Sequence, residues 1–393
     1  MNRLSTLLLI LCSLIFLPSS YAQHDGQDHG ESHHEQADHA HDATHHEEKF
    51  NAGETMMHHV MDSHDWHITD FPSTDANGNK VYKPVALHLP WLFYSSEHGV
   101  EFFGSTEALL KSRKYVVYHE KPYHLASGAS YDAETWGYHP HGHAYGEYAE
   151  TIIGEKAWDF SPTKTVVQMF LVLLVLALIF LQVAKGYAKN RGKAPKGVQS
   201  FFEPFVIFVR DEIARTYLGK KADAYTPYLL TLFFFIWFAN LLGMTPFNSN
   251  IMGNISITFT LALFSFILIQ INGTKDYWQH MFAMPGVPPV MWAIITPIEI
   301  FGMFIKPIAL MIRLFANISA GHFMLLALVC LIFIMGEGGT NLAGAFGISP
   351  LTIIFYIGIL CLEVIVGIVQ AYVFCLLTAV FMGQAMETHD DHH

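Results

Sequence analysis

Five ionisable side chains stand inside long apolar runs of this 393-residue chain: Glu299, Lys306, Arg313, His322 and Glu363. At bilayer depth each costs several kcal/mol, which makes each a candidate for function before packing. Arg313 is the most informative. It lies 23 residues after Val290 and 22 before Met335, far from water at either end of its run. Its guanidinium stays protonated at any ordinary pH. Such a fixed charge either pairs with a buried carboxylate, for which Glu363 is the deep candidate, or serves function directly. Glu299, Lys306 and Arg313 recur at i, i+7 and i+14, so a helix presents them on one face, and Asn317 extends that face. Ala309, Ala320 and Gly321 on or beside it suit close approach by another helix. Glu363 and Gln370 are also seven apart. His322 falls nine residues after Arg313, about 14 Å further along a helix, on the side where Glu363 is expected. An imidazole beside a carboxylate in a wet crevice relays protons, since imidazole titrates near neutrality. A His satisfied by a helix–helix hydrogen bond is the alternative. Asn240 adds a neutral polar group, and Glu337 falls in a solvated turn.

The elements that must position these groups are apolar spans. Val166–Ala184 carries no charge over 19 residues, enough to cross ~30 Å of hydrocarbon. Lys185, Lys189, Arg191, Lys193 and Lys196 follow at once and mark the cytoplasmic side. Tyr228–Leu242 and Ile255–Ile271 form spans two and three, and Val290–Met335 and Pro350–Met382 form four and five. The last two exceed an upright span and are expected to tilt strongly and pack as a hairpin. Residues 198–218 place Phe201, Phe202, Phe205, Phe208, Val209, Ile213 and Tyr217 at helical spacing, as in a helix lying along the membrane surface. The expected fold is an all-α polytopic membrane protein. It has five membrane-crossing helices within residues 166–386, one interfacial amphipathic helix and a small extracytoplasmic N-terminal region.

Arg3, the apolar run Leu4–Leu17 and the small-residue site at Ser20-Tyr21-Ala22 read as a secretory signal over residues 1–22, with a permanent anchor as the alternative. The mature N-terminus is then extracytoplasmic, and the tail 387–393 is cytoplasmic. Hydrophobic residues make up 52% of the chain and charged ones 14%, which excludes a disordered chain. A formal charge of −12 excludes a bulk-basic nucleic-acid binder. The negative charge is concentrated outside the spans: residues 23–165 hold 23 Asp and Glu against 9 Lys and Arg.

Residues 23–67 are polar and disordered by composition, with 12 histidines that include the pairs His33-His34 and His45-His46. A second cluster, His139, His141 and His143, lies in a Pro- and Gly-containing stretch of the 68–165 region. Such tracts bind divalent metals weakly or simply keep a secreted end soluble; no fixed ligand spacing selects a metal. Val81–Phe93 and Val100–Phe103 have strand-like composition, with a turn signal at Asn77-Gly78. Cys12, Cys330, Cys361 and Cys375 all fall in apolar stretches, so they are expected as buried hydrophobes and not as a disulfide framework.

The run Ile305-Lys306-Pro307-Ile308-Ala309-Leu310-Met311-Ile312-Arg313-Leu314-Phe315-Ala316-Asn317-Ile318-Ser319-Ala320-Gly321-His322 closely resembles the signature helix of subunit a of F-type ATP synthases. Glu299, the run Glu363-Val364-Ile365-Val366-Gly367-Ile368-Val369-Gln370-Ala371-Tyr372 and the run Asn240-Leu241-Leu242-Gly243-Met244-Thr245-Pro246 are similar to that family's pattern as well. The resemblance covers roughly residues 160–386. Family members often carry Gly at the position of Ala316 and an acid at that of Gly243, which leaves open what lines the outer access route. Residues 23–165 are longer than the family's usual N-terminus.

The resemblance implies a non-catalytic ion-channel subunit in the cell (inner) membrane. Its partners would be a ring of c subunits, the b subunits, the catalytic ATP synthase sector and the lipid bilayer, with H⁺ or Na⁺ as the ion and no nucleic acid. It implies that Arg313 is the essential stator charge between two half-channels. Ions would enter from outside past His322, Glu363, Asn317 and Gln370, with Asn240 nearby, and leave inward near Glu299, while Lys306 snorkels. No cofactor is expected, and no phosphate-binding Gly-rich loop is present, so nucleotide chemistry belongs to partners. Two other readings stay open: a divalent metal cation transporter whose His-rich tail collects metal, and an envelope metal-binding protein with a passive anchor.

Overall fold

The computed structural model describes residues 62, 64–74, 80–118, 121–126, 153–244, 250–282, 288–336 and 341–387. The signal, most of the His-rich stretch, the 139–143 cluster and the Asn77-Gly78 turn lie outside them.

The N-terminal region is built from short antiparallel strands. β1 (Asp65–Thr74) pairs with β2 (Lys80–His88) as a two-stranded unit, and Asp65–His67, grouped with the polar stretch by composition, belong to β1. β3 (Trp91–Ser95) lies between β4 (Gly99–Phe103) and β8 (Trp158–Asp159). β6 (Lys121–Leu125) lies between β5 (Tyr115–Tyr118) and β7 (Ile153–Lys156). The strict alternation of β3 sends Trp91 and Phe93 inward, where they form a small core with Leu109 of helix α1 (Thr106–Lys111), Tyr115 and Ala157. His64 stacks on Trp91, ring centroids 3.6 Å apart, with Nε2 3.6 Å from Asp159. Burial outweighs that carboxylate and pushes the imidazole down to about 3.

This region is bonded to the first long helix, α2 (Lys164–Lys189). The N-cap Thr163 offers no capping bond of its own; Asp62 acts instead. Its carboxylate accepts from Thr163 Oγ1 (2.8 Å), Thr165 Oγ1 (2.8 Å) and Thr165 N (3.2 Å), a negative group at a helix N-terminus.

The rest of the described chain is helical. After α2 come α3 (Val198–Phe208), a π-helical turn (Val209–Arg215), one further turn (Thr216–Leu218) and a break at Gly219, whose φ of 51° suits glycine. α4 (Ala222–Gly243) follows, then α5 (Ile255–Ile271), α6 (Lys275–Phe282), α7 (Pro289–Met335) and α8 (Leu342–Met386). Among the described residues four helical stretches are long and apolar enough to cross a membrane, or five if α5 and α6, bent by 102°, count as one span. The chain is a polytopic membrane protein of mainly α-helical build. The amphipathic 198–218 stretch buries Phe202, Val209 and Ile213 but leaves Phe201, Phe208 and Tyr217 exposed. It runs on, through the Gly219 break, into α4.

Phe233, Phe234, Ile236 and Leu229 of α4 centre the helical core. α4 packs against α2 and α8, and α7 packs against α5 and α8. One end of this body gathers the α5–α6 junction and the end of α8, where Thr274 N donates to Ala385 O (2.9 Å). The Tyr217 carbonyl approaches Gly383 so closely there that no side chain fits. Near the opposite end, Asn250 Nδ2 donates to Ile318 O of α7 (3.4 Å). Cys330 and Cys375 are buried as expected, whereas Cys361 is exposed because it lies on the outer face of α8.

Candidate functional site

α7 stays helical through Pro297 and Pro307, so the heptad-spaced stripe survives. Glu299, Lys306, Arg313 and Asn317 are all exposed, while Leu310, Leu314 and Ile318 turn inward to the helical core. The polar stripe therefore lies on the side of α7 turned away from the helical core. Among the described residues Arg313 makes no ion pair, so the Glu363 pairing considered from sequence is not formed: that side chain points inward from α8.

The second group is interior. Glu363 and Gln370 are buried on α8, His322 on α7 and Asn240 on α4. Asn240 Nδ2 donates to the carbonyl of Gly367 (3.3 Å), so it stands between Glu363 and Gln370 along α8. Two glycines make room. A Cβ on Gly321 would meet Glu363 Oε1 at 2.8 Å, and one on Gly367 would meet Asn240 Cβ at 3.2 Å. Glu363 Oε2 and Asn240 Oδ1 are buried without a hydrogen-bond partner among the described residues. A file of carboxylate, amide and amide, beside an imidazole and walled by three helices, can pass a proton between polar stations.

A shallow recess opens between α5, α6, α7 and α8. Ser265, Gln270, Tyr277, Lys306 and Gln384 supply its polar lining. Lys306 Nζ lies 4.9 Å from the centre of the Phe381 ring, and Glu299 is close enough to Tyr277 for the two to interact electrostatically. Sequence reasoning passed over Ser265, Gln270, Tyr277 and Gln384, because Ser, Gln and Tyr raise no alarm singly. It also passed over Gln168, fully buried on α2 with neither amide atom partnered among the described residues; a lone amide in an uncharged span was its signal. His33, His34, His45, His46, His139, His141 and His143 lie outside the described residues. Among the described residues no group of three His, Cys, Asp or Glu could hold a metal.

The sequence profile of the ATP synthase A chain matches residues 166–383, more than half of the chain. The chain belongs to the ATP synthase A chain family. The match contains every residue of the two polar groups, so this subunit works in the membrane sector of an F-type complex, in ATP synthesis and ion transport. ATP synthase subunit a of Chloroherpeton thalassium is 33% identical over 320 residues, covering 78% of this chain and 90% of that protein. ATP synthase subunit a of Anaeromyxobacter dehalogenans is 41% identical over 244 residues, covering 60% of each. ATP synthase subunit a 2 of Chlorobaculum tepidum is 38% identical over 279 residues, 70% of this chain and 76% of that one. A domain of unknown function matches residues 55–160. The 320-residue alignment is longer than the stretch from residue 161 to 393, so the Chloroherpeton protein shares part of that N-terminal region.

Proposed function

We propose that this subunit is the stator of a proton path, with Arg313 facing a ring of c subunits. The observation that carries the reading is Arg313 itself, a permanent cation that is exposed on α7 and makes no ion pair among the described residues. Each ring subunit brings a carboxylate. Facing lipid, that group stays protonated, because hydrocarbon disfavours charge. Facing Arg313 at ~4 Å, the anion gains ~4 kcal/mol at an effective dielectric near 20, which favours release of its proton. The same charge repels a bare proton and keeps the two half-channels separate.

Protons reach the ring from outside through the interior file of His322, Glu363, Asn240 and Gln370, with Asn317 on the exposed face. They leave inward by Glu299 and the recess lined by Tyr277 and Gln270. The basic cluster from Lys185 to Lys196 sets the end of α2 in the cytoplasm. The end of α8 lies at the same end of the body as the α5–α6 junction. The C-terminus is then cytoplasmic, the N-terminal region extracytoplasmic and the membrane the inner one. Each proton driven across 100 mV supplies ~2.3 kcal/mol, so several crossings drive one turnover in the catalytic sector.

The test is ATP synthesis driven by an imposed proton gradient in membrane vesicles, native against Arg313→Ala, with assembly checked. Coupled synthesis should vanish while the complex stays assembled. Undiminished coupled synthesis would refute the mechanism.

A further inference from the structure

We propose that the outer face of the β4-β3-β8 sheet is a membrane-docking surface that seats the N-terminal region on the lipid headgroups beside the first span. Burial alternates along β3, so one side of this sheet is the core and the other is open. An open antiparallel face is ordinarily polar. This one is apolar and uncharged. Leu92 and Tyr94 of β3 stand opposite Phe102 and Val100 of β4, and Tyr94 is paired on its other side with Trp158 of β8. Phe160 continues the alternation. Exposure reaches 67% for Phe102, 72% for Val100 and 58% for Trp158, too high for packing against the described residues. Six apolar side chains on one sheet face form a patch and not isolated exposures.

Its position identifies the occupant. Phe160 N donates to Leu92 O (2.9 Å), and Leu92 N donates to Ser161 Oγ (2.8 Å), so the sheet is held by hydrogen bonds up to residue 161. α2 begins three residues later, and its start is tied back to Asp62. Three extended residues span about 10 Å. α2 has 26 residues and is therefore about 39 Å long, more than the ~30 Å hydrocarbon layer needs. Its first turn thus lies at headgroup level. A sheet tethered that closely cannot stand off the bilayer, and Trp and Tyr are the side chains that favour this layer. Lack of charge on this face matters further, because the rest of the region is acidic and anionic lipid would repel it.

The test uses the whole ATP synthase complex in phosphatidylcholine vesicles. Cysteine is placed in turn at Phe102→Cys, at Trp158→Cys and, as control, at Glu107→Cys on α1. Each is labelled with a membrane-impermeant nitroxide, and collision rates with oxygen and with a water-soluble nickel chelate are compared. At 102 and 158 oxygen should exceed the chelate by at least threefold, with the order reversed at 107. Chelate dominance at all three positions would overturn the proposal, and so would suppression of both reagents at 102 and 158, which marks a polypeptide cover. A second variant leaves the apolar face intact: Trp158→Phe should remove part of the tryptophan fluorescence quenched by brominated phosphatidylcholine. An unchanged quenched fraction counts against docking.

Discussion

Gly321→Ala tests whether the interior polar file must keep its present spacing. The new methyl carbon would stand 2.8 Å from Glu363 Oε1, 3.0 Å from Cδ and 3.3 Å from Cγ, where 3.4 Å begins ordinary contact. The carboxylate must therefore retreat by about 0.6 Å, or α7 and α8 must part. Overpacking of this kind costs typically 1–3 kcal/mol, with the gain of Ala over Gly in a helix, about 1 kcal/mol, set against it. The net effect on stability is small, so loss of assembly is not expected. The effect on conduction is larger, because a relay depends on heavy-atom separations within hydrogen-bond reach. Vesicles carrying Gly321→Ala should acidify with ATP, and synthesise ATP from a gradient, roughly tenfold more slowly than native. The decisive arm is Gly321→Ala with Glu363→Asp. The shorter side chain withdraws the carboxylate by about 1.5 Å, one carbon–carbon bond, and relieves the clash. The double variant should exceed the product of the two single effects. Native rates for Gly321→Ala, or strict multiplication of the two defects, would refute the reasoning.

Asp62→Ala removes three bonds at the start of α2 and should destabilise the N-terminal attachment by about 1–2 kcal/mol, read as faster hydrogen exchange at residues 163–167; Asp62→Asn should retain part of the protection. His64 gives that region a pH dependence. The unfolded chain binds a proton near pH 6.5 that the folded one refuses until about 3, so stability is full above 6.5 and falls as pH drops through that window. The slope is at most ~1.4 kcal/mol per pH unit. Limited proteolysis at pH 7 and pH 5 measures it, and His64→Phe should flatten the profile. Deletion of residues 23–61, which spares Asp62, should leave gradient-driven ATP synthesis intact; loss of divalent-metal uptake after that deletion would instead favour the transporter reading.

Periodicity made the stripe on α7 legible. Glu299, Lys306, Arg313 and Asn317 need only a continuous helix to share a face, and both prolines are accommodated within it. The interior file was legible by residue and not by arrangement. That Asn240 meets Gly367, or that Glu363 fills the gap left by Gly321, depends on which helices pack together, and spacing along one helix carries no such information. The 102° bend between α5 and α6 falls at Asn272-Gly273, a turn signal in the sequence, but the angle depends on packing. Strand content was visible near Val81–Phe93, but a tie from Asp62 to Thr165 across a hundred residues leaves no local trace. Cys361 was expected to be buried on composition, which reports hydrophobicity and not direction.

The length of α7 has a geometric consequence. Its 47 residues extend about 70 Å, yet the hydrocarbon is only ~30 Å thick, so a helix lying mostly within it leans about 65° from the normal. Along such an incline, distance in sequence becomes arc and not depth. The 14 residues from Glu299 to Arg313 amount to about 21 Å of helix, of which only about 9 Å is vertical and about 19 Å runs sideways in the plane of the membrane. Two stations that look stacked on a linear map are neighbours on a circumference. A ring of the kind proposed above, turning against this helix, would meet them one after the other.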